Sequence, residues 1–124
     1  MIPLQAYKVI HLVGVCMLFT VLGAIALHAL NGGTKQSNAG RRLIAAMHGT
    51  ALFVILLGGF GMLARLGMVR GMLPGWILAK LAIWVTLPFL GLLAYRKPAN
   101  ARWLLVAMPL LGGVAAWIAL YKPF

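Results

Sequence analysis

His11 and Lys80 are the first residues whose types could do chemistry together. A histidine transfers protons near neutral pH or gives a ring nitrogen to a metal, and a desolvated lysine binds an anionic group or changes its proton affinity. Both stand in apolar stretches, "YKVIHLVGV" and "GWILAKLAIWV", where an ionisable side chain either serves a ligand or snorkels to an interface. His28 and His48 form a second pair. Two imidazoles on facing helices ligate a haem iron from opposite sides when a porphyrin-sized gap lies between them, and otherwise hydrogen-bond at a membrane interface. The sequence has no Cys-x-x-Cys-His attachment motif, so any haem here is noncovalent, which points to haem b. Arg41, Arg42, Arg96 and Lys97 form a third group, whose positive charges suit lipid headgroups or porphyrin carboxylates.

Absent residue types narrow the chemistry further. The chain has 11 Lys and Arg and no Asp or Glu. It therefore lacks a carboxylate pair for glycoside hydrolysis, an Asp/Glu metal site and an acidic proton relay. Ser37 and Thr50 belong to no recognisable nucleophile triad, and no P-loop, Rossmann or zinc-protease motif occurs. Cys16 is the single cysteine, which excludes an internal disulfide and leaves it the role of a small buried apolar residue. A net charge of +11 would suit nucleic acid if it formed one patch on a soluble fold. Here the charges punctuate apolar segments, so membrane lipids are the expected partners and nucleic acid is not.

The elements that must position these groups are membrane helices. Hydrophobic residues make up 64% of the chain and the mean hydropathy is +1.02, outside the balance of a soluble domain. Four stretches, at about 8–30, 43–64, 76–95 and 103–120, are each long enough for a bilayer crossing of roughly 20 residues. The first follows Lys8 and has the length of a retained span rather than a leader. The expected fold is a single all-α integral membrane domain, a four-transmembrane-helix up-down bundle with short connections. Gly58, Gly59 and Gly61, and later Gly112 and Gly113, are placed to let helices approach closely. Pro88 and Pro109 fall within spans, where they remove a backbone donor and favour a bend. Trp76, Tyr95, Trp103 and Tyr121 flank the third and fourth spans as interfacial anchors.

Alternating crossings put His11 and Lys80 near one membrane face, and His28 and His48 near the other. The first and third loops carry Lys35, Arg41, Arg42, Arg96, Lys97 and Arg102, against Lys8, Arg65, Arg70 and Lys122 at the opposite end. By the positive-inside rule this excess orients both termini away from the cytoplasm, facing the periplasm if the membrane is the bacterial inner one.

"YKVIHL" ahead of the long first span and "GWILAKLAIWV" opening the third resemble the small four-helix membrane proteins grouped around HemJ-type protoporphyrinogen oxidases and CopD-like membrane domains. The likeness spans most of the chain and rests on the placement of His11 and Lys80, with Trp76 as a weaker interfacial mark. It implies a haem-dependent porphyrin oxidation in which His11 is the haem ligand and Lys80 contacts porphyrin or cofactor. The chain is shorter than typical members of that group. Two functional expectations follow: a noncatalytic structural or assembly subunit docked into a larger membrane complex, or a haem-dependent membrane oxidoreductase acting on a porphyrin or quinone-like substrate. A large docking surface would favour the first, and a porphyrin-sized cavity joining His11 and Lys80 the second.

Overall fold

The computed structural model describes residues 3–67 and 73–122; Arg70, expected in the second loop, lies outside them. Within these residues the chain forms α1 (Leu4–Leu30), α2 (Arg41–Arg65), α3 (Gly75–Arg96) and α4 (Ala101–Tyr121), with a one-turn 3-10 segment, Pro98–Asn100, leading into α4. All four are long and apolar enough to cross a membrane. Each extends past its apolar stretch by one to four residues, because a helix keeps its internal hydrogen bonds as it leaves the hydrocarbon for the interface. Pro3 and Pro74 sit just before α1 and α3 in extended conformation, where the lost donor removes no intrahelical bond. At the ends of α1 and α2, Gly32 and Gly67 adopt φ of +85° and +72°, left-handed values that a glycine takes without strain and that turn the chain out of the helix.

The packing has one hub. α2 packs chiefly along α1, whereas α3 and α4 pack against each other and against the rest of α1. With lipid outside, helices gain little by hiding apolar surface from one another and associate instead by close fit, which small residues permit. Glycines provide that fit along α1. Gly58 of α2 meets the backbone of His11, Gly14 meets the backbone of Ile55, and Gly61 meets the ring of Tyr7. On the other side Gly91 of α3 abuts Leu22 and Gly112 of α4 abuts the ring of Phe19. Gly113, expected to do the same, faces open space. Both α3 and α4 continue through their prolines, Pro88 and Pro109.

The buried core gathers Leu18, Leu22 and Ala26 of α1 with Leu87 and Ala94 of α3 and Leu104 and Met108 of α4. It therefore fills the half of the bundle toward the first and third loops. Toward the other end the helices part and leave open space around His11 and Lys80. Large apolar residues such as Phe53, Phe89, Val106 and Leu110 face outward, as lipid-facing side chains do. Cys16 also faces outward rather than lying buried as its residue type suggested, because the inward face of α1 at that level is taken by Gly14 and Leu18.

Candidate functional site

The His11 imidazole is oriented from α2. Its Nδ1 lies 2.9 Å from the carbonyl oxygen of Ile55, a contact within reach because Gly58 lets the backbones of α1 and α2 nearly touch. A carbonyl only accepts, so Nδ1 carries the proton and donates, and Nε2 is left with its lone pair. That is the tautomer a histidine needs to ligate a metal through Nε2, with the second nitrogen held by a backbone acceptor. Among the described residues no protein group bonds Nε2, and no polar side-chain atom is sealed off without a partner, so this nitrogen reaches open space.

His11 lines a cleft between α2 and α3. A cavity of about 410 Å³ lies there, lined by His11 and Lys80 together with Lys8, Lys122, Trp76 and Trp84, and walled by apolar residues including Leu56, Phe60 and Met62. Its size falls in the range of small-molecule sites. A second cavity of about 340 Å³ lies between α1, α3 and α4, and His11, Lys80 and Trp84 line it too. The three side chains thus form a polar partition between two apolar chambers. Trp84 is fixed by its indole Nε1, which donates to the Leu52 carbonyl at 3.2 Å and bridges the cleft between α3 and α2.

His11 and Lys80, which alternating crossings put near one membrane face, line the same two cavities. Sequence reasoning missed Trp84, Lys8 and Lys122. For Trp84 the available signal was depth: it stands nine residues into α3, away from both interfacial zones, and an indole buried there requires an acceptor. Lys122 Nζ stacks on the Trp76 ring, 5.2 Å from its centroid, so the interfacial role expected of Trp76 includes a cation–π contact. Lys8, Lys80 and Lys122 have no Asp or Glu side chain to pair with, since the sequence contains neither. The cavity they line favours an anionic ligand.

The second histidine pair is not brought together. Gly58 opposite His11 and Gly14 opposite Ile55 set an antiparallel register that places His28 and His48 about seven residues apart along the bundle, roughly 10 Å. His28 Nε2 donates to the Thr34 carbonyl at 2.8 Å and lies 3.2 Å from Ser37 Oγ, so this ring closes the first loop onto the end of α1. His48 is half-buried on α2, with no side-chain hydrogen bond among the described residues. Of the cations at the first and third loops, Arg41 donates to the Gln36 carbonyl at 3.3 Å, while Arg42, Arg96 and Lys97 are exposed. Beside them Asn38 is buried and donates through Nδ2 to the Tyr95 hydroxyl at 3.0 Å, which makes Tyr95 a packing element as well as an interfacial ring. The described residues contain no group of three or more His, Cys, Asp or Glu able to cage a metal ion, a constraint that a haem iron, already held by its macrocycle, does not share. Comparison with protein-family models, with characterised proteins and with solved structures finds no match for this chain.

Proposed function

We propose that this chain is a membrane-embedded ligand-binding protein whose cleft holds a haem-type tetrapyrrole at His11, serving oxidation or reduction of a porphyrin or quinone-like molecule that arrives through the bilayer. The observation that carries this reading is the 2.9 Å contact from His11 Nδ1 to the Ile55 carbonyl, which leaves Nε2 free at a cavity shared with Lys80. The residues present suit such a group. Nε2 of His11 would hold the metal of such a group, the walls are apolar and aromatic, and Lys8 and Lys122 would pair with carboxylates at the ring edge. When bound, the group supplies one-electron redox chemistry that no side chain of this protein offers.

The protein's own contribution is positional. α2 holds the imidazole through Ile55, and Trp84 holds α2 to α3 through Leu52. The lysines neutralise ligand charge in a setting where unpaired charge is costly. The cleft opens between two helices that scarcely pack on each other, so a hydrophobic molecule reaches it from the lipid without crossing water. The resemblance to HemJ-type oxidases, carried by the same His11 and Lys80, points in this direction. The excess of cations on the first and third loops supports termini outside the cytoplasm, with Arg41, Arg42, Arg96 and Lys97 on anionic headgroups of the inner leaflet.

The test is the absorption spectrum and haem stoichiometry of protein purified from its native membrane in mild detergent, with co-purifying proteins identified in the same sample. Near-stoichiometric haem is expected in the wild type, lost in His11→Ala and kept in His28→Ala and His48→Ala. Haem-free protein with one reproducible partner would overturn this reading in favour of a noncatalytic assembly subunit.

A further inference from the structure

The chamber between α1, α3 and α4 is an elongated slot with one polar end. His11 and Lys80 stand at that end, and Phe19 and Leu87 line it eight and seven residues further along their helices, so it runs about 10–12 Å toward the middle of the bundle. Gly112 and Ala115 of α4 leave it open along one wall. Its volume of about 340 Å³ holds about eleven water-sized groups at ~30 Å³ each, enough for most of one alkyl chain and too little for two. Among the described residues Lys80 is its only Lys or Arg, since Lys8 and Lys122 line the other cavity and not this one. No acidic residue exists in the chain to neutralise it. Polar at one end with a single positive charge, apolar along its length and one chain wide, the slot is shaped for a monoanionic single-chain amphiphile.

We propose that this chamber binds one long-chain fatty carboxylate, with its headgroup on Lys80 and its alkyl chain directed along α4 toward the middle of the bilayer. A neutral lipid would leave Lys80 unpaired, and beside that charge the slot has room for one alkyl chain. The inference assigns Lys80 to this chamber, which leaves Lys8 and Lys122 for the charge of a ligand in the other cavity.

The experiment is titration of oleate into the full chain in phosphatidylcholine nanodiscs, with bound oleate counted by native mass spectrometry and haem measured on the same sample. One oleate per chain is expected, with methyl oleate binding no more than to empty nanodiscs. Lys80→Ala should weaken binding about tenfold or more, the loss of one charge-assisted hydrogen bond, while Lys80→Arg keeps most of it. Ala115→Phe, which fills this chamber and not the other, should abolish it. Equal retention of oleate and methyl oleate by the wild type, or displacement of oleate by phosphatidylglycerol, would overturn the proposal; both comparisons use the unaltered chain and do not depend on a variant folding. Haem-free protein that keeps one Lys80-dependent oleate overturns the haem reading alone, and haem-loaded protein without it overturns this one alone.

Discussion

Gly58→Ala is the sharpest perturbation of the contact on which the site depends. A Cβ at Gly58 would lie 2.6 Å from the His11 nitrogen and 2.7 Å from its Cα, about 0.8 Å inside ordinary van der Waals contact. Both obstacles are backbone atoms in the middle of a helix, so no rotamer change relieves them and α1 and α2 must separate. Overpacking of this kind costs about 1–3 kcal/mol. The His11–Ile55 hydrogen bond, 2.9 Å long, stretches with the helices, and its loss adds about 0.5–1.5 kcal/mol. The expected destabilisation is about 2–4 kcal/mol, or roughly 30- to 1,000-fold in the folding equilibrium. Reversible unfolding by sodium dodecyl sulfate in mixed micelles, followed by circular dichroism, measures it. Gly23→Ala and Gly113→Ala are the matched controls, since nothing lies within 4 Å of a Cβ at either position, and each should be neutral or gain up to about 1 kcal/mol in helix propensity. If Gly58→Ala stays within about 0.5 kcal/mol of those controls, the close α1–α2 approach is wrong, and with it the orientation of His11.

Three further outcomes follow from other contacts. Trp84→Phe removes the donor to the Leu52 carbonyl but leaves that carbonyl its helical partner, so the same unfolding assay should show a loss of only about 1 kcal/mol; Trp103→Phe, at a ring 75% exposed, should change nothing. Tyr95→Phe strips the buried Asn38 amide of its acceptor and should cost about 1–3 kcal/mol, with Tyr121→Phe, on an exposed ring, as the neutral comparison. Replacing Arg41, Arg42, Arg96 and Lys97 with alanine leaves Lys35 and Arg102 against Lys8, Arg65, Arg70 and Lys122, and reporters fused to the termini should then reveal inverted chains; an unchanged orientation would refute the charge argument.

The four helices were legible because lipid imposes a simple demand: about 20 apolar residues per crossing and a turn between crossings. The partnership of His11 with Lys80 followed from that alternation, which needs only the number of residues between them. What alternation does not carry is rotation about each helix axis. A helix in lipid is apolar on every face, so hydropathy gives no direction to the core. That is why Gly112 and its neighbour Gly113 looked equivalent, though one meets Phe19 and the other nothing, and why Cys16 was placed inside. The same ambiguity hid the linkage of Trp84 to Leu52, since a backbone carbonyl leaves no mark in a sequence. His28 and His48 misled in the opposite sense: both approach the same face, but the register set by Gly14 and Gly58 keeps them at different depths.

The hub role of α1 has a consequence for biosynthesis. Every other helix packs on α1, and α1 precedes them all in the chain. α2 therefore leaves the ribosome with its principal partner already in the membrane, and α3 and α4 emerge beside a helix that both will pack on. The residues from the end of α1 to the end of α4, completed at about 5–20 residues per second, take roughly 5–20 seconds to emerge. During that interval the nascent protein is a docked α1–α2 hairpin that already contains His11 and its Ile55 acceptor. Arrival of α3 then brings Lys80 and Trp84, and α4 completes the walls around the imidazole. Assembly is by accretion onto a finished surface, so the histidine is aligned before the ligand chamber closes around it.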